Sequence, residues 1–369
     1  MKLNQYDLDR INSAIADRSN VFYWQTDRKV TPEEAGDIWA DRHRYFTDNE
    51  LLERINRTLG DDKLASLEPL DLDAQTNLGN VNSVRVGTLV SGSEIIIRSH
   101  PKGVLNGYFH AESAAAQKAK EAGLPSYSTF AVHDYSGDED FSFQVIEKLH
   151  GTALKKWLDD NPQDENALVK KVGAMMARVH TIKVDGFGPF YNDEARDGTL
   201  IGRHATLGES VRAGLDFNLK VLVDKKILKL ELVAPIKQLF EDTNPVLDNA
   251  ESVLVHNDFA DWNLLTDGED VTGILDWDEC VASDPITDLA CWSTFFDPER
   301  MESFLSGYWT VARKPENFVE KFELLRLRYV LSKMTLRTRR YTWSPTEDVR
   351  EKIEAGKIHL AESLKHFEL

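Results

Sequence analysis

One stretch limits this chain more than any other: VLVHNDFADWNLLTDGEDVTGILDWDE, residues 253–279. Three short apolar runs enclose a polar cluster, His256 to Asn263, and Asp276 follows thirteen residues after Asn263. The pattern reads as short strand, loop, short strand, a turn at Asp267–Asp270, and short strand. A solvated surface loop could be equally polar, but polar groups held between strands are presented to a cleft.

The surroundings change texture along the chain. Up to about residue 74 the reading is helical with loops: apolar positions recur at Ile11, Ala14 and Ile15, at Ile38 and Trp39, and at Leu51, Leu52 and Ile55. Thr31–Glu34, TPEE, is a helix start with Thr as N-cap and Pro at the first helical position. VFYWQTD, Val21–Asp27, carries three aromatics suited to docking that segment. From Asn82 to Ser99 alternation and β-branched residues give a hairpin turning at Ser91–Ser93. An Ala-rich helix is expected over Gly107–Gly123, then a strand over Phe141–Gly151. Beyond Gly151 helices dominate. Leu168, Val172, Met175, Met176 and Val179 form a core stripe, and a long helical stretch runs through Leu215–Phe240.

At 369 residues two or three domains are expected. The formal charge of −18, from 44 basic and 62 acidic residues, repels nucleic acid and anionic membranes, and serves solubility or a cationic substrate. No membrane span or signal segment is apparent, and the two cysteines, Cys280 and Cys291, lack metal-type spacing. A cytoplasmic protein is the expectation.

What could H-x-D-x-x-x-x-N with a downstream Asp do? Phosphoryl transfer needs a carboxylate to orient and deprotonate the attacking hydroxyl, and hard oxygen ligands for Mg²⁺ on the nucleotide phosphates. Asp258 suits the first task; the Asn263 amide and the Asp276 carboxylate suit the second. A His two residues before the base, His256, more commonly holds such a loop than moves protons.

VHNDFADWNLL, GILDWDE and SDPITDLA together resemble the aminoglycoside phosphotransferase family, the small-molecule relatives of protein kinases. The resemblance covers about residues 75–310. It implies an α+β bilobal protein-kinase-like fold: a small antiparallel-sheet N-lobe that binds nucleotide (75–149) and a larger mainly helical C-lobe with the catalytic loop and substrate site (150–369); the helical N-terminal extension (1–74) precedes them, outside the resemblance. It implies Asp258 as catalytic base, Asn263 and Asp276 as Mg²⁺ ligands, and Asp288 as a carboxylate bracing the loop through His256. Arg98, in EIIIRSHP, matches the basic residue that holds the nucleotide phosphates, and Glu112 its partner acid; taken singly, Arg98 could be a strand-edge residue and Glu112 a solvated helix acid. GLPSYSTFAV is similar to the family's G-L-P-V-P turn, and QVIEKLHG to its hinge, where Glu147, Lys148 and Leu149 would offer backbone groups to the purine.

The chain also departs from the family. Its phosphate-covering loop, Leu78–Ser83, has one Gly, and Ala260, Asp261 and Trp262 replace the second His and the Pro-Gly of HGDLHPGN. Asp261 could face substrate or cap the loop, and Asp278 could assist the metal or a cationic substrate or be structural. His180, in VGAMMARVHTIKVDGFGPF, matches a packing and hydrogen-bonding position. The pattern comes closer to the hygromycin-type branch. A basic run (Arg326, Arg328, Lys333, Arg337, Arg339 and Arg340) is either a solvated helix face or a source of contacts to an anionic substrate group.

The expected function is an ATP- or GTP-dependent, Mg²⁺-dependent kinase acting on a small-molecule hydroxyl, either of an aminoglycoside-like antibiotic or of an alcohol-bearing metabolite. A non-catalytic nucleotide-binding scaffold or sensor is the alternative, with the extension as its interaction module; under either reading the extension could serve as a homo-oligomer contact. A metallohydrolase built on His256, Asp258 and Asp276 lacks the clustered His ligands such sites use.

Overall fold

The computed structural model describes residues 46–70, 82–100, 108–134, 142–343 and 345–369. The TPEE helix start, the VFYWQTD segment and most of the single-Gly loop lie outside these residues.

The first described helix, α1 (Asp48–Thr58), begins in a reciprocal cap: Thr47 Oγ1 accepts the Glu50 N–H, and the Glu50 carboxylate accepts the Thr47 N–H. Strands β1 (Leu64–Pro69), β2 (Ser83–Leu89) and β3 (Glu94–Ser99) precede helix α2 (Phe109–Glu121), and β4 (Thr129–His133) and β5 (Phe143–Glu147) complete an antiparallel sheet of order β1-β2-β3-β5-β4. The period of two decides what each face does. Ile95, Ile97, Phe143 and Val145 face α1 and pack with Leu51, Ile55 and Leu64 in a small core. Their sequence neighbours Ile96, Arg98, Gln144 and Ile146 therefore face the other side, towards α2 and the cleft. This corrects one helical expectation, because Leu64–Pro69 is a strand. The boundary expected near residue 75 falls between two strands that pair with each other.

The second part of the chain opens with β6 (Thr152–Ala153), α3 (Leu154–Asp160) and α4 (Glu165–Val179), followed by β7 (Phe187–Phe190) and β8 (Gly202–His204). Helices α5 (Leu207–Arg212), α6 (Leu215–Asp224), α7 (Val233–Asp242) and α8 (Asn244–Asp248) lead to β9 (Val253–Val255), β10 (Leu264–Thr266), β11 (Val271–Ile274) and β12 (Val281–Ser283). Four helices end the chain: α9 (Ile286–Trp292), α10 (Pro298–Tyr308), α11 (Phe318–Trp343) and α12 (Glu347–His366). The expected continuous helix over Leu215–Phe240 is two helices, separated where Lys226 takes a φ of 58°. The fold is thus mixed, an antiparallel sheet with its helices joined to a mainly helical lobe. No described helix is long and apolar enough to cross a membrane.

Two small sheets position the polar loop. Strand β9 belongs to the sheet β8-β7-β12-β9, and β10 to the sheet β11-β10-β6. Residues 256–263 therefore cross from one sheet to the other, and residues 275–280 cross back alongside them. The two crossings are tied together: the Leu275 N–H donates to the Asn263 carbonyl at 2.8 Å, and His256 Nε2 donates to the Leu275 carbonyl at 2.9 Å.

Candidate active site

Each crossing carries a backbone residue in the left-handed region, Asn257 with φ 63° and Asp276 with φ 58°. Asn and Asp tolerate that region better than other side chains do. The surroundings hold both in place. Asp288, fully buried in the first turn of α9, accepts the backbone N–H of His256 at 2.9 Å and that of Asn257 at 2.7 Å. Its Oδ2 also lies 3.0 Å from His180 Nε2, while His180 Nδ1 is 2.8 Å from the Tyr308 hydroxyl. Asp288 thus grips the backbone of the loop, and the His256 ring is turned elsewhere. That ring packs edge-on to Phe259 and against Trp277, and burial lowers its pKa, so it stays neutral.

Asp258 follows these two residues and is half-buried. Asn263, 2 % exposed, donates its side-chain N–H groups to both the Asp258 carbonyl and the Asp258 carboxylate, each at 2.9 Å. Burial pushes the Asp258 carboxyl well above the usual carboxylate range; Lys333 opposes this, and the charges of Glu279, Asp276 and Asp278 add to it. Lys333 reaches in from α11 and holds both carboxylate oxygens of the buried Glu279, at 2.8 and 2.6 Å.

The opposite wall comes from the five-stranded sheet. Arg98 on β3 is bonded through Nη1 to Glu112, and through Nη2 to Asp276 Oδ1 at 2.7 Å. Glu112 on α2 is 1 % exposed and also accepts the Tyr127 hydroxyl at 2.9 Å; Gln144 accepts Arg98 Nη1 at 3.3 Å. Burial works against the Arg98 charge, but Asp276, the Tyr127 oxygen and Asp278 outweigh it and raise its pKa. Arg98 therefore joins the sheet to the Asp276 crossing. Asp278 belongs to the same group of charges, since it bears on both Arg98 and Asp258.

At the connection between the lobes, the side chains of Glu147 and Lys148 serve local structure. Glu147 accepts from the Ser128 N–H at 3.0 Å and from Lys120; burial raises its pKa, and these bonds bring it below the ordinary value. Lys148 pairs with Glu94 at 2.7 Å, and Leu149 packs against the main core.

Asp261, which could face substrate or cap the loop, is buried. It is 3 % exposed and its Oδ2 lies 3.0 Å from Arg300 Nη2, so its charge is matched inside the helical lobe. Of the basic run, Arg326 bonds to Glu362 and His359 on α12, and Arg328 donates to the carbonyls of Val211 and Ala213 and to Asn218. The spacing of the loop residues pointed to neither Glu279 nor the role of Lys333. Only the position of Lys333 among six basic residues singled it out.

The phosphotransferase enzyme family model, APH, matches residues 75–320. The structure is similar to a thermostable mutant of aminoglycoside phosphotransferase APH(4)-Ia, at 18 % identity and a TM-score of 0.60, over 87 % of this chain and 99 % of that one. It is similar to a choline/ethanolamine kinase family protein from Mesorhizobium loti, at 17 % identity and a TM-score of 0.52, over 81 % and 87 % of the two chains. It also resembles APH(2″)-IIa, at 16 % identity and a TM-score of 0.50, over 85 % and 99 %. At these identities the structural likeness concerns the fold. A search of curated proteins finds no match. With its family match spanning two thirds of the sequence, the chain belongs to the APH phosphotransferase enzyme family.

Proposed function

We propose that this protein transfers the terminal phosphoryl group of ATP or GTP to a hydroxyl of a small molecule. The observation that carries the reading is the pair of adjacent crossings, which bring Asp258, Asn263 and Asp276 together opposite the Arg98–Glu112 pair. Among structural neighbours, APH(4)-Ia forms a ternary complex with AMP-PNP and hygromycin B, and APH(2″)-IIa one with ATP and streptomycin.

The residues fit Mg²⁺, which takes one or two carboxylates, neutral oxygens, phosphates and water rather than a protein cage. Asp276 offers a carboxylate about one-third exposed, with Oδ1 held by Arg98, and Asn263 directs its amide N–H groups at Asp258, which leaves its oxygen as the acceptor end. Bound there, Mg²⁺ would neutralise charge developing on the transferred phosphoryl group. Arg98, oriented by Glu112 and Gln144, would hold the nucleotide phosphates by charge-assisted hydrogen bonds. Backbone groups of Glu147 to Leu149 would meet the base, because the Glu147 and Lys148 side chains have partners of their own. Asp258 would accept a hydrogen bond from the acceptor hydroxyl, align it with the phosphorus, and take its proton as the new P–O bond forms and the bond from the terminal phosphorus to the bridging oxygen breaks, releasing the nucleoside diphosphate. Asp288 and His256 would keep the loop in this geometry.

Titrating Mg²⁺ into protein with a fluorescent ATP analogue tests the assignment. Wild type should bind nucleotide in a metal-dependent way, and Asp276→Asn should lose that dependence together with turnover. Metal-dependent binding unchanged in Asp276→Asn would defeat the metal assignment, and absence of nucleotide binding in wild type would defeat the kinase reading.

A further inference from the structure

Beside the Asp258 crossing the helical lobe lines a half-open cavity of about 160 Å³. Helix α11 forms one wall with Leu325, Arg328, Tyr329, Ser332, Lys333 and Leu336, positions that repeat every three or four residues and so share one helix face. Across from it stand Leu207 and Val211 of α5 and Val281 of β12, and Asn257, the residue before Asp258, lies at its edge. We infer, resting on the reading of Asp258 as the group that engages the acceptor, that this cavity takes the body of a small, uncharged, ring-sized alcohol and not a polycation.

Size is the first argument. An enclosed apolar cavity of about 150 Å³ accepts one benzene ring, so this half-open recess seats a ring-sized body of about six to eight heavy atoms. Carbon makes up most of the exposed wall, from Leu207, Val211, Val281, Leu325, Leu336 and the Tyr329 ring, which favours burial of a guest's carbon surface. Ser210, Ser332 and Thr287 add hydroxyls able to bond one or two further hydroxyls of a guest.

Charge is the second argument. Among the described residues Glu279 is the only acid on the cavity wall, and Lys333 holds both of its oxygens. An ammonium group entering here would shed its water and meet a carboxylate already paired, alongside Lys333 and Arg328. Moving such a charge out of water without a partner is strongly unfavourable. A polyamine would need several unpaired carboxylates, and this wall offers none. The strongly acidic net charge of the chain therefore does not extend into the cavity.

Ligand-detected NMR on the full-length protein without nucleotide tests this, with cyclohexanol, cyclohexane-1,2-diol and benzyl alcohol as probes against gentamicin and hygromycin B. The alcohols should show saturation transfer, with intermolecular NOEs to the Val211 and Leu325 methyls, and the two aminoglycosides should not displace them. Val211→Phe and Ser332→Phe, which fill the cavity from opposite walls, should each weaken cyclohexanol binding at least tenfold. The inference is overturned if either aminoglycoside binds this cavity more tightly than the alcohols. It is equally overturned if a folded cavity-filling variant binds as wild type does, or if the wild-type NOEs arise elsewhere. Because no nucleotide or metal is present, the outcome is independent of the Asp276→Asn experiment: failure of nucleotide binding defeats the kinase reading, and failure of alcohol binding defeats only the substrate class.

Discussion

Burial is the largest influence on the Asp258 carboxyl, and Glu279, Asp276 and Asp278 add to its upward pull on the pKa while Lys333 resists. As the proposed general base Asp258 works only when deprotonated, so kcat/KM should rise with pH along a limb displaced above the ordinary Asp value of about 4. Stability has the opposite dependence. The folded protein holds this proton more tightly than the unfolded chain, so the contribution of Asp258 to stability falls as pH climbs from the unfolded pKa through the folded one. Asp258→Asn should therefore lower kcat by about 10²- to 10⁴-fold while nucleotide affinity is retained. It should also raise Tm relative to wild type at pH 8, with the gap closing near pH 4. Equal Tm differences at the two pH values would show that the carboxyl is not destabilised by its setting. The grouping of Asp258, Asn263 and Asp276 was legible in the sequence because the short strands on either side fix their local spacing. The partner of Asp261 was not legible: Arg300 lies 39 residues away, and a lone acid in a loop carries no sign of a cation arriving from another helix. The same holds for Glu279 and Lys333, 54 residues apart.

Helices α4 and α10 pack so closely that each needs a glycine. A Cβ on Gly307 would stand 1.8 Å from the Lys170 carbonyl oxygen, and one on Gly173 would stand 2.0 Å from that of Phe304. In an exposed helix Gly→Ala would stabilise by about 0.5–1 kcal/mol. Here the sign reverses, because backbone must move to admit the methyl group. Gly307→Ala should destabilise by about 3 kcal/mol, at the upper end of ordinary overpacking, measured by urea unfolding with an unchanged m-value. A neutral or stabilising result would mean that the two helices separate at little cost. Elements with a strong period were readable: the β2–β3 hairpin, the Ala-rich α2 and the α4 stripe each match the sequence pattern. Strand β1 was not, since LASLEP is short and gains its strand character from pairing with β2. The break between α6 and α7 was missed because apolar residues continue at helical spacing through it, and a lysine, not Gly or Pro, takes the left-handed turn.

Across the whole molecule, the sheet and the helical lobe meet through backbone and side-chain hydrogen bonds as well as through the Glu147–Gly151 connection. The Ile274 N–H donates to the Pro125 carbonyl at 2.7 Å, Trp277 Nε1 donates to Ser126 Oγ at 3.1 Å, and Arg98 bonds Asp276. These contacts fix α2, and with it Glu112, relative to the Asp276 crossing before any nucleotide arrives. On the proposed reading Arg98 has two separable tasks, matching the buried Glu112 charge and meeting the phosphates. Arg98→Met should cost about 3–5 kcal/mol in stability, because Glu112 is left ionised and buried without its cation. Adding Glu112→Leu removes the stranded charge and should restore much of that loss, less about 1–3 kcal/mol for the Tyr127 hydroxyl, which loses its acceptor. Nucleotide affinity should not return with stability: both variants should show a KM for ATP raised at least tenfold, since neither carries a cation at this position. Urea unfolding and initial-rate kinetics on wild type and the two variants read the two tasks separately. Recovery of ATP affinity in the double variant would show that Arg98 acts only through the packing of α2, and an unchanged stability in the single variant would show that Glu112 does not depend on it.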